Sequence, residues 1–389
     1  MNKFFFTEEH ELFRQSFRDF LEKEVKPNIE EWEAAGQIPR SIYKSFGEMG
    51  FMGVTYPEKY GGMGLDTFFS VVYTEEMIRM NSSGFNSSIG AHAGLALAHI
   101  NGEGSEAHKQ KYLTAGLKGE LIGCLAITEP SGGSDVASLI TKAVKDGDHY
   151  VINGSKTFIT NGVLSDYIIA AVRTGGKGAN GISMMIIERD REGVSATALK
   201  KLGWHASDTG EIAFDNVRVP AENLLGEENK GFFYIMQHFA SERLGMALIA
   251  VSQAQLAIDL ALKYMAEREV FGRPINKFQV LRHRIAQMSA EVTSSRAFVY
   301  TLYKQYQQGD YIIKEAAMAK LVATQLSDKV CYECMRIFGG YGYMEEYPMA
   351  RLLRDSQLGT IGGGTSEILC EIISKMIIDT KGYKAAIKH

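Results

Sequence analysis

The hydrophobic periodicity of this 389-residue chain changes twice, and those two changes restrict its fold more than any single motif does. Up to about Lys118 the apolar residues recur at helical spacing. Thr7 is placed to cap a first helix whose opening turn carries Glu8 and Glu9. Leu12, Phe13, Phe17, Phe20, Leu21 and Val25 form its apolar stripe, and Pro27 is expected to stop it. Residues 57–65 contain Gly61, Gly62 and Gly64 and read as a loop. A second glycine-bearing stretch, 90–94, contains His92, with His99 further on; two histidines without a third ligand read as core residues rather than metal ligands.

After Gly119 the pattern shortens. An apolar run covers 121–128, and Ala143-Val144 and Tyr150-Val151-Ile152 flank Lys145-Asp146-Gly147-Asp148, a hairpin turn signal. Asn153-Gly154 reads as another turn, and 167–172, 182–187 and 212–219 read as further strands. Closely spaced strands without intervening helices indicate an antiparallel barrel or sandwich. The glycine-rich stretch 175–181 is a connection and not a phosphate loop, because the Gly-Lys-Ser/Thr ending and the following helix are missing. From about Gly231 the helical period returns, and 231–267, 279–308, 312–338 and 366–379 are long enough for a four-helix bundle.

Composition narrows the function classes. Net charge is -4 with both signs interspersed and no Lys/Arg block, so nucleic acid is not the expected partner. The amino-terminal residues lack a signal-peptide core, and no apolar run reaches the roughly 18 residues of a membrane span; a cytoplasmic protein is expected. Cys331 and Cys334 form one Cys-x-x-Cys, but no second pair accompanies it, so buried structural thiols are expected and no metal.

In the 231–267 segment, residues three, four and seven apart share a face, which puts Glu242 in one row with Phe239, Met246 and Ile249. An ionised carboxylate among hydrophobes is costly unless it finds a cation or its proton affinity shifts. Three readings follow from the spacing: an ion pair with a neighbouring helix, the edge of the apolar face, or a general base.

Five stretches, in order, resemble the acyl-CoA dehydrogenase family. They are Leu125-Ala126-Ile127-Thr128-Glu129-Pro130-Ser131-Gly132-Gly133-Ser134-Asp135; Asn153-Gly154-Ser155-Lys156-Thr157-Phe158-Ile159-Thr160-Asn161-Gly162; Arg268-Glu269-Val270-Phe271-Gly272; Ile337-Phe338-Gly339-Gly340-Tyr341-Gly342-Tyr343; and Gly364-Thr365-Ser366-Glu367-Ile368. The resemblance runs from Phe5 to Asp379. It implies a multidomain α and β enzyme that binds FAD. Residues 1–120 would form an amino-terminal helical domain, 121–228 a central antiparallel β-barrel and 229–389 a carboxy-terminal four-helix bundle. It also implies a homotetramer that oxidises an acyl-CoA thioester to the trans-2-enoyl-CoA and passes electrons to an electron-transferring flavoprotein.

The same resemblance implies a cofactor site. Leu125, Ile127, Thr128 and Ser134 would meet the flavin, where exposed N–H groups and hydroxyls suit its pyrimidine edge and pyrophosphate. Phe158-Ile159-Thr160 stands where many members have Trp-Ile-Thr, so Phe158 would shield the isoalloxazine face and Thr160 would bond near its hydride-accepting nitrogen. Arg268, Phe271 and Gln279 resemble the group that reaches the FAD of a neighbouring subunit, an arginine being able to grip pyrophosphate through two bonds. Gly339, Gly340, Thr365 and Glu367 belong to the same cofactor motifs. Arg336 stands where glutamine is common, and its charge would either strengthen a phosphate contact or turn away.

In many short- and medium-chain members the catalytic glutamate precedes the Gly-Thr of the last motif; here that position is Gly363. Long-chain and isovaleryl members carry the base in a Glu-Arg pair on the first long bundle helix, and Glu242-Arg243 stands there. The resemblance therefore implies Glu242 as the base, with Ser134, Arg243, Gly363 and Gly364 toward the substrate. A flavin ribityl hydroxyl and a backbone N–H near Gly363 would stabilise the thioester oxygen. The alternatives are an acyl-CoA oxidase, whose usual extra carboxy-terminal domain is not seen here, a non-catalytic acyl-CoA-binding flavoprotein, and a monooxygenase relative, which the filled base position disfavours. Acyl length is not readable from the sequence.

Overall fold

Thr7 accepts a hydrogen bond from the His10 backbone N–H, and the Glu8–Phe20 helix follows with Phe13, Phe17 and Phe20 buried along it. Leu12 departs from the expected stripe and is 72% exposed, because one residue before Phe13 lies about 100° around the helix. Nor does Pro27 end the coiling: it enters a short 3₁₀ turn, Lys26–Asn28, from which the Ile29–Ala35 helix continues. Proline is compatible with a first helical position, where its missing N–H is not needed.

The computed structural model describes residues 2–379, and the chain divides into two compact units. One unit gathers the chain up to Glu22, Asp66–Ser83, and everything from Ala240 on. Its long helices are Gly231–Glu267, from Ala240 onward, then Gln279–Gln307, Ile313–Ile337 and Ser366–Ile378. These are the four helices expected. A shorter one, Pro348–Ser356, was not anticipated. The unit's core joins Ala254, Ala257, Ile258 and Ala261 with Met288, Val292, Val330 and Cys331. Cys331 and Cys334 are fully buried free thiols, and burial pushes the Cys331 thiol up to about 12. The buried Glu76 carboxylate ties the Thr67–Arg79 helix to the amino-terminal helix through Arg14 at 3.2 Å and Arg18 at 2.7 Å, and also meets Arg79 of its own helix at 3.2 Å.

The Gly231–Glu267 helix does contain an 18-residue window apolar enough, by length and composition, to cross a bilayer. Of that window 61% is buried inside the protein, the environment of a core helix.

The other unit comprises Lys23–Leu65 and Gly84–Phe239. Its sheet contains β1 (Gly123–Ala126), β2 (Lys142–Asp146), β3 (His149–Thr160), β4 (Tyr167–Arg173), β5 (Ile182–Glu188), β6 (Val194–Ala198), β7 (Thr209–Pro220) and β8 (Leu224–Leu225). The order is β6-β7-β3-β2-β4-β5-β8, with β1 also on β4. Pairing is antiparallel except that β1 and β2 each meet β4 in parallel. β4 is buried on both faces, and its two-residue alternation serves two cores. Ile169 and Ala171 join Met184, Ile186 and Leu97, while Ile168, Ala170 and Val172 join Met185, Ile187 and Phe214.

The β2–β3 hairpin turns where expected, with Gly147 at φ +62°. Asn153-Gly154 is not a turn. It lies inside β3 at a shift in register against β7, and a Cβ at Gly154 would meet Thr141. The 90–94 stretch is helical, with a wide turn over Ala91–Ala96. His92 there is a core residue: it accepts from the Gly123 N–H at 2.9 Å through Nδ1 and donates through Nε2 to the Gly116 carbonyl at 3.0 Å.

Candidate active site

Beginning with the helical unit, Leu244, Ala247, Leu248 and Val251 turn fully into the core, whereas Glu242 is half-buried like Phe239, Met246 and Ile249 of its row. The row therefore lies at the margin of the packed face, and the Oε1 atom of Glu242 is itself shielded from solvent. Arg243, next in sequence, is buried. Gly363 has φ +63°, and a Cβ built on it would overlap the sulfur of Met246, the residue one turn beyond Glu242. The glycine run 362–364 thus lies against the helix face that carries Glu242.

Lys320 of the Ile313–Ile337 helix reaches the same run: its ammonium donates to the Gly364 carbonyl at 2.7 Å. This lysine is fully buried, and burial, with the positive charge of Arg243 adding to it, pulls its pKa down to about 8. Sequence reasoning missed it, since a helical lysine usually faces water. The available signal was its place in the row Ala316, Lys320, Ala323, Ser327, whose other members are all buried. Thr365 serves as a helix cap, accepting from the Ile368 N–H at 3.4 Å, with Glu367 exposed in the first turn.

Gly363→Ala is expected to reduce turnover by at least about tenfold, because it combines a left-handed backbone with an overlap against Met246. Pairing it with Met246→Ala should recover part of the loss. Steady-state kinetics of the single and double variants check this, and a fully active Gly363→Ala would contradict it.

In the sheet unit, Leu125 lies on β1 and Ile127 and Thr128 just after it, all half-buried; Ser134 lies in an exposed loop. That loop is fastened by a pair sequence reasoning quoted but gave no role. The fully buried Lys156 ammonium sits 2.8 Å from the Glu129 carboxylate and donates to the Ile127 carbonyl at 3.1 Å. Glu129 also accepts the backbone N–H groups of Ile140, at 2.6 Å, and Thr141, at 2.9 Å. These bonds and Lys156 hold its carboxyl below the usual range against the opposing effect of burial. Arg173 donates to the carbonyls of Ala137 and Leu139, tying down the loop's far side.

Phe158 sits at a second register shift in β3, at φ +60° and 70% exposed. A bulky residue in the left-handed region costs on the order of 1 kcal/mol, and such strain concentrates where a ligand is held. An outward aromatic ring fixed this way fits a flavin shield. Ile159, by contrast, points into the sheet core and has only its backbone to offer. Thr160 is half-buried, and Asn161 beside it anchors the strand end by donating to the Ser88 carbonyl at 2.8 Å.

Of the remaining expected cofactor residues, Arg268, Phe271, Gln279, Gly339 and Gly340 are exposed on the helical unit. Arg268 lies 5.7 Å from the ring of Tyr341, so two of these motifs come together. Phe271 is 94% exposed at φ +50°. Arg336 lies 3.1 Å from Glu333 on its own helix.

Comparison with known proteins matches the chain to three family models: the acyl-CoA dehydrogenase N-terminal domain over residues 7–120, the middle domain over 124–217 and the C-terminal domain over 229–378. It is similar to the mitochondrial long-chain specific acyl-CoA dehydrogenase of Sus scrofa, 38% identical over 380 residues, covering 97% of this chain and 88% of that protein. The short-chain specific acyl-CoA dehydrogenase of Clostridium acetobutylicum is 40% identical over 374 residues, with 95% and 98% covered. The crystal structure of an acyl-CoA dehydrogenase from Geobacillus kaustophilus superposes with a TM-score of 0.94 at 42% identity, covering 96% of this chain and 99% of that one.

Proposed function

The chain belongs to the acyl-CoA dehydrogenase family, and on that premise we propose that Glu242 is the base that takes the α proton of its acyl-CoA substrate. The activity is the FAD-dependent α,β-dehydrogenation of an acyl-CoA thioester to the trans-2-enoyl-CoA. One observation supports the choice of base above the others. Gly363, which has no proton acceptor, packs beside Met246 one turn from Glu242, so the carboxylate absent from 363 is available from the neighbouring helix face.

The α C–H of a thioester is weakly acidic. As Glu242 takes the proton, the C–H pair moves toward the carbonyl and negative charge grows on its oxygen. The Gly363 N–H is the main-chain donor for that charge, and it survives the loss of a side chain at 363. Arg243, buried beside the base, sets the local potential toward anions. Bound FAD supplies the acceptor for the β hydride. Thr128, Ser134, Phe158 and Thr160 would hold it in the same chain, and Arg268 with Gln279 would complete the site from a neighbouring copy in a homotetramer. Its electrons pass to an electron-transferring flavoprotein, in the cytoplasm.

Overall identity does not select the acyl chain, since long-chain and short-chain relatives match almost equally, at 38% and 40%. The placement of the base on the bundle helix, as in long-chain and isovaleryl members, favours a long or branched chain. Anaerobic mixing with acyl-CoAs from short to long, including branched ones, tests this. The expected result is bleaching of the flavin and trans-2-enoyl-CoA product, fastest with a long or branched chain. A flavin-loaded protein that none of them reduces would contradict it.

A further inference from the structure

The run Gly362-Gly363-Gly364 is the least self-supporting backbone near Glu242. Gly363 and Gly364 stand at φ +63° and +99°, and no Cβ restricts either. The run is held at its start, where Ile361 and Gly362 donate to the Leu358 carbonyl at 3.0 and 2.9 Å, and at its end, where the Leu369 N–H donates to the Thr365 carbonyl at 3.0 Å. Between those points, among the described residues, the N–H groups of Gly363 and Gly364 donate to no protein acceptor. They are open donors, available to an incoming oxygen.

What fixes this middle portion is Lys320. Its ammonium is fully buried, and its one hydrogen bond among the described residues is the 2.7 Å bond to the Gly364 carbonyl. No carboxylate among them lies within ion-pair distance of it, and the charge that bears on it is the like charge of the Arg243 guanidinium. A buried ammonium with a second cation beside it and no counter-ion opposes folding.

We propose that Lys320 is a positioning residue for α-proton removal: by holding the Gly364 carbonyl it fixes the peptide planes of the glycine run, and with them the Gly363 N–H that receives the thioester oxygen. This rests on the reading of Glu242 as the base. Lys320 touches neither substrate nor base in this account, and acts only through the backbone.

The test uses the FAD-loaded protein in D₂O with 3-thiaoctanoyl-CoA, which has acidic α hydrogens but a sulfur in place of the β carbon and so undergoes proton removal without hydride loss. Deuterium uptake at the α carbon is read by mass spectrometry for wild type, Glu242→Gln, Lys320→Met and Lys320→Gln. Flavin content, thermal midpoint and ligand affinity are measured on the same samples. Lys320→Met is expected to exchange about 100-fold more slowly, with affinity, flavin content and midpoint close to wild type, and Lys320→Gln, which keeps an N–H donor, to lie between. Exchange by Lys320→Met at the wild-type rate would overturn the proposal. So would a loss of exchange that merely tracks lost flavin and lost stability, which would make Lys320 a bundle anchor. If Lys320→Met does not fold, the same readouts on Lys320→Gln decide. Failure of wild type to exchange, or retention of exchange in Glu242→Gln, would instead overturn the assignment of the base.

Discussion

Glu242→Gln is expected to lower acyl-CoA turnover by about 10⁴-fold, the upper end of what a positioned base contributes, while FAD content, thermal midpoint and acyl-CoA affinity stay near wild type. The upper end is expected because the proton is bound to carbon, and water is a poor substitute base for it. Nor can position 363 stand in, since it is glycine and its Cβ space is filled by the Met246 sulfur. Glutamine keeps the shape of the side chain on a half-buried face, so packing changes little. Glu242→Asp should recover part of the rate, because it keeps the carboxylate and displaces it by about one bond length. Steady-state kinetics with flavin content measured in parallel checks both variants; comparable losses of rate and of flavin would point to a structural role instead.

Lys156→Met is expected to destabilise the protein by about 3–5 kcal/mol, the usual cost of removing one member of a buried ion pair and leaving its partner behind. The Glu129 carboxylate would remain buried, with the N–H groups of Ile140 and Thr141 still bonded to it but the ammonium gone. Because Glu129 closes the loop from 129 to 141, that loop should loosen, and Ser134 and the backbone around it with it. Weaker FAD retention on gel filtration is the expected consequence. The double variant Glu129→Gln, Lys156→Met should regain much of the stability, since removing both charges leaves no orphan, while FAD retention stays impaired because the loop's fastening is still missing. Denaturant midpoints and flavin-to-protein ratios check the pair. A single variant as stable as wild type would show that the ion pair has no net role.

Local signals carried much of the fold. The bundle helix expected over 279–308 forms as Gln279–Gln307, because the proline and glycine that bound it act through their own backbone limits and need no tertiary help. The hairpin at Lys145-Asp146-Gly147-Asp148 was legible for the same reason. Asn153-Gly154 carries an equally strong turn signal, yet the chain runs straight through it. Ile152 and Gly154 both pair with β7, and the extra residue of the bulge lies in β7, where Asn153 stands opposite Asp215 and Asn216. That outcome is decided by the partner strand, which no local pattern contains. The parallel partners of β4 were hidden likewise, since strand neighbours distant in sequence leave no periodic trace.

The site divides along similar lines. Glu242 was legible because a carboxylate interrupts an apolar row, and Gly363 because a motif places a different residue there. Lys320 was not, since burial of a lysine follows from which helices surround it. Lys156 and Glu129 were visible as residues but not as a pair, being 27 positions apart and joined only when β3 returns beside the loop. Arg336 meets a glutamate one turn away on its own helix, a contact legible from the i, i+3 spacing of Glu333 and Arg336.

The most direct test of the account is an anaerobic stopped-flow comparison of wild type and Glu242→Gln, both fully loaded with FAD, mixed with the acyl-CoA that wild type oxidises fastest. The account predicts rapid loss of the flavin's visible absorbance in wild type and none on the same timescale in Glu242→Gln, although the variant binds the substrate. Bleaching of Glu242→Gln at the wild-type rate would contradict it, because the α proton would then be leaving to another base.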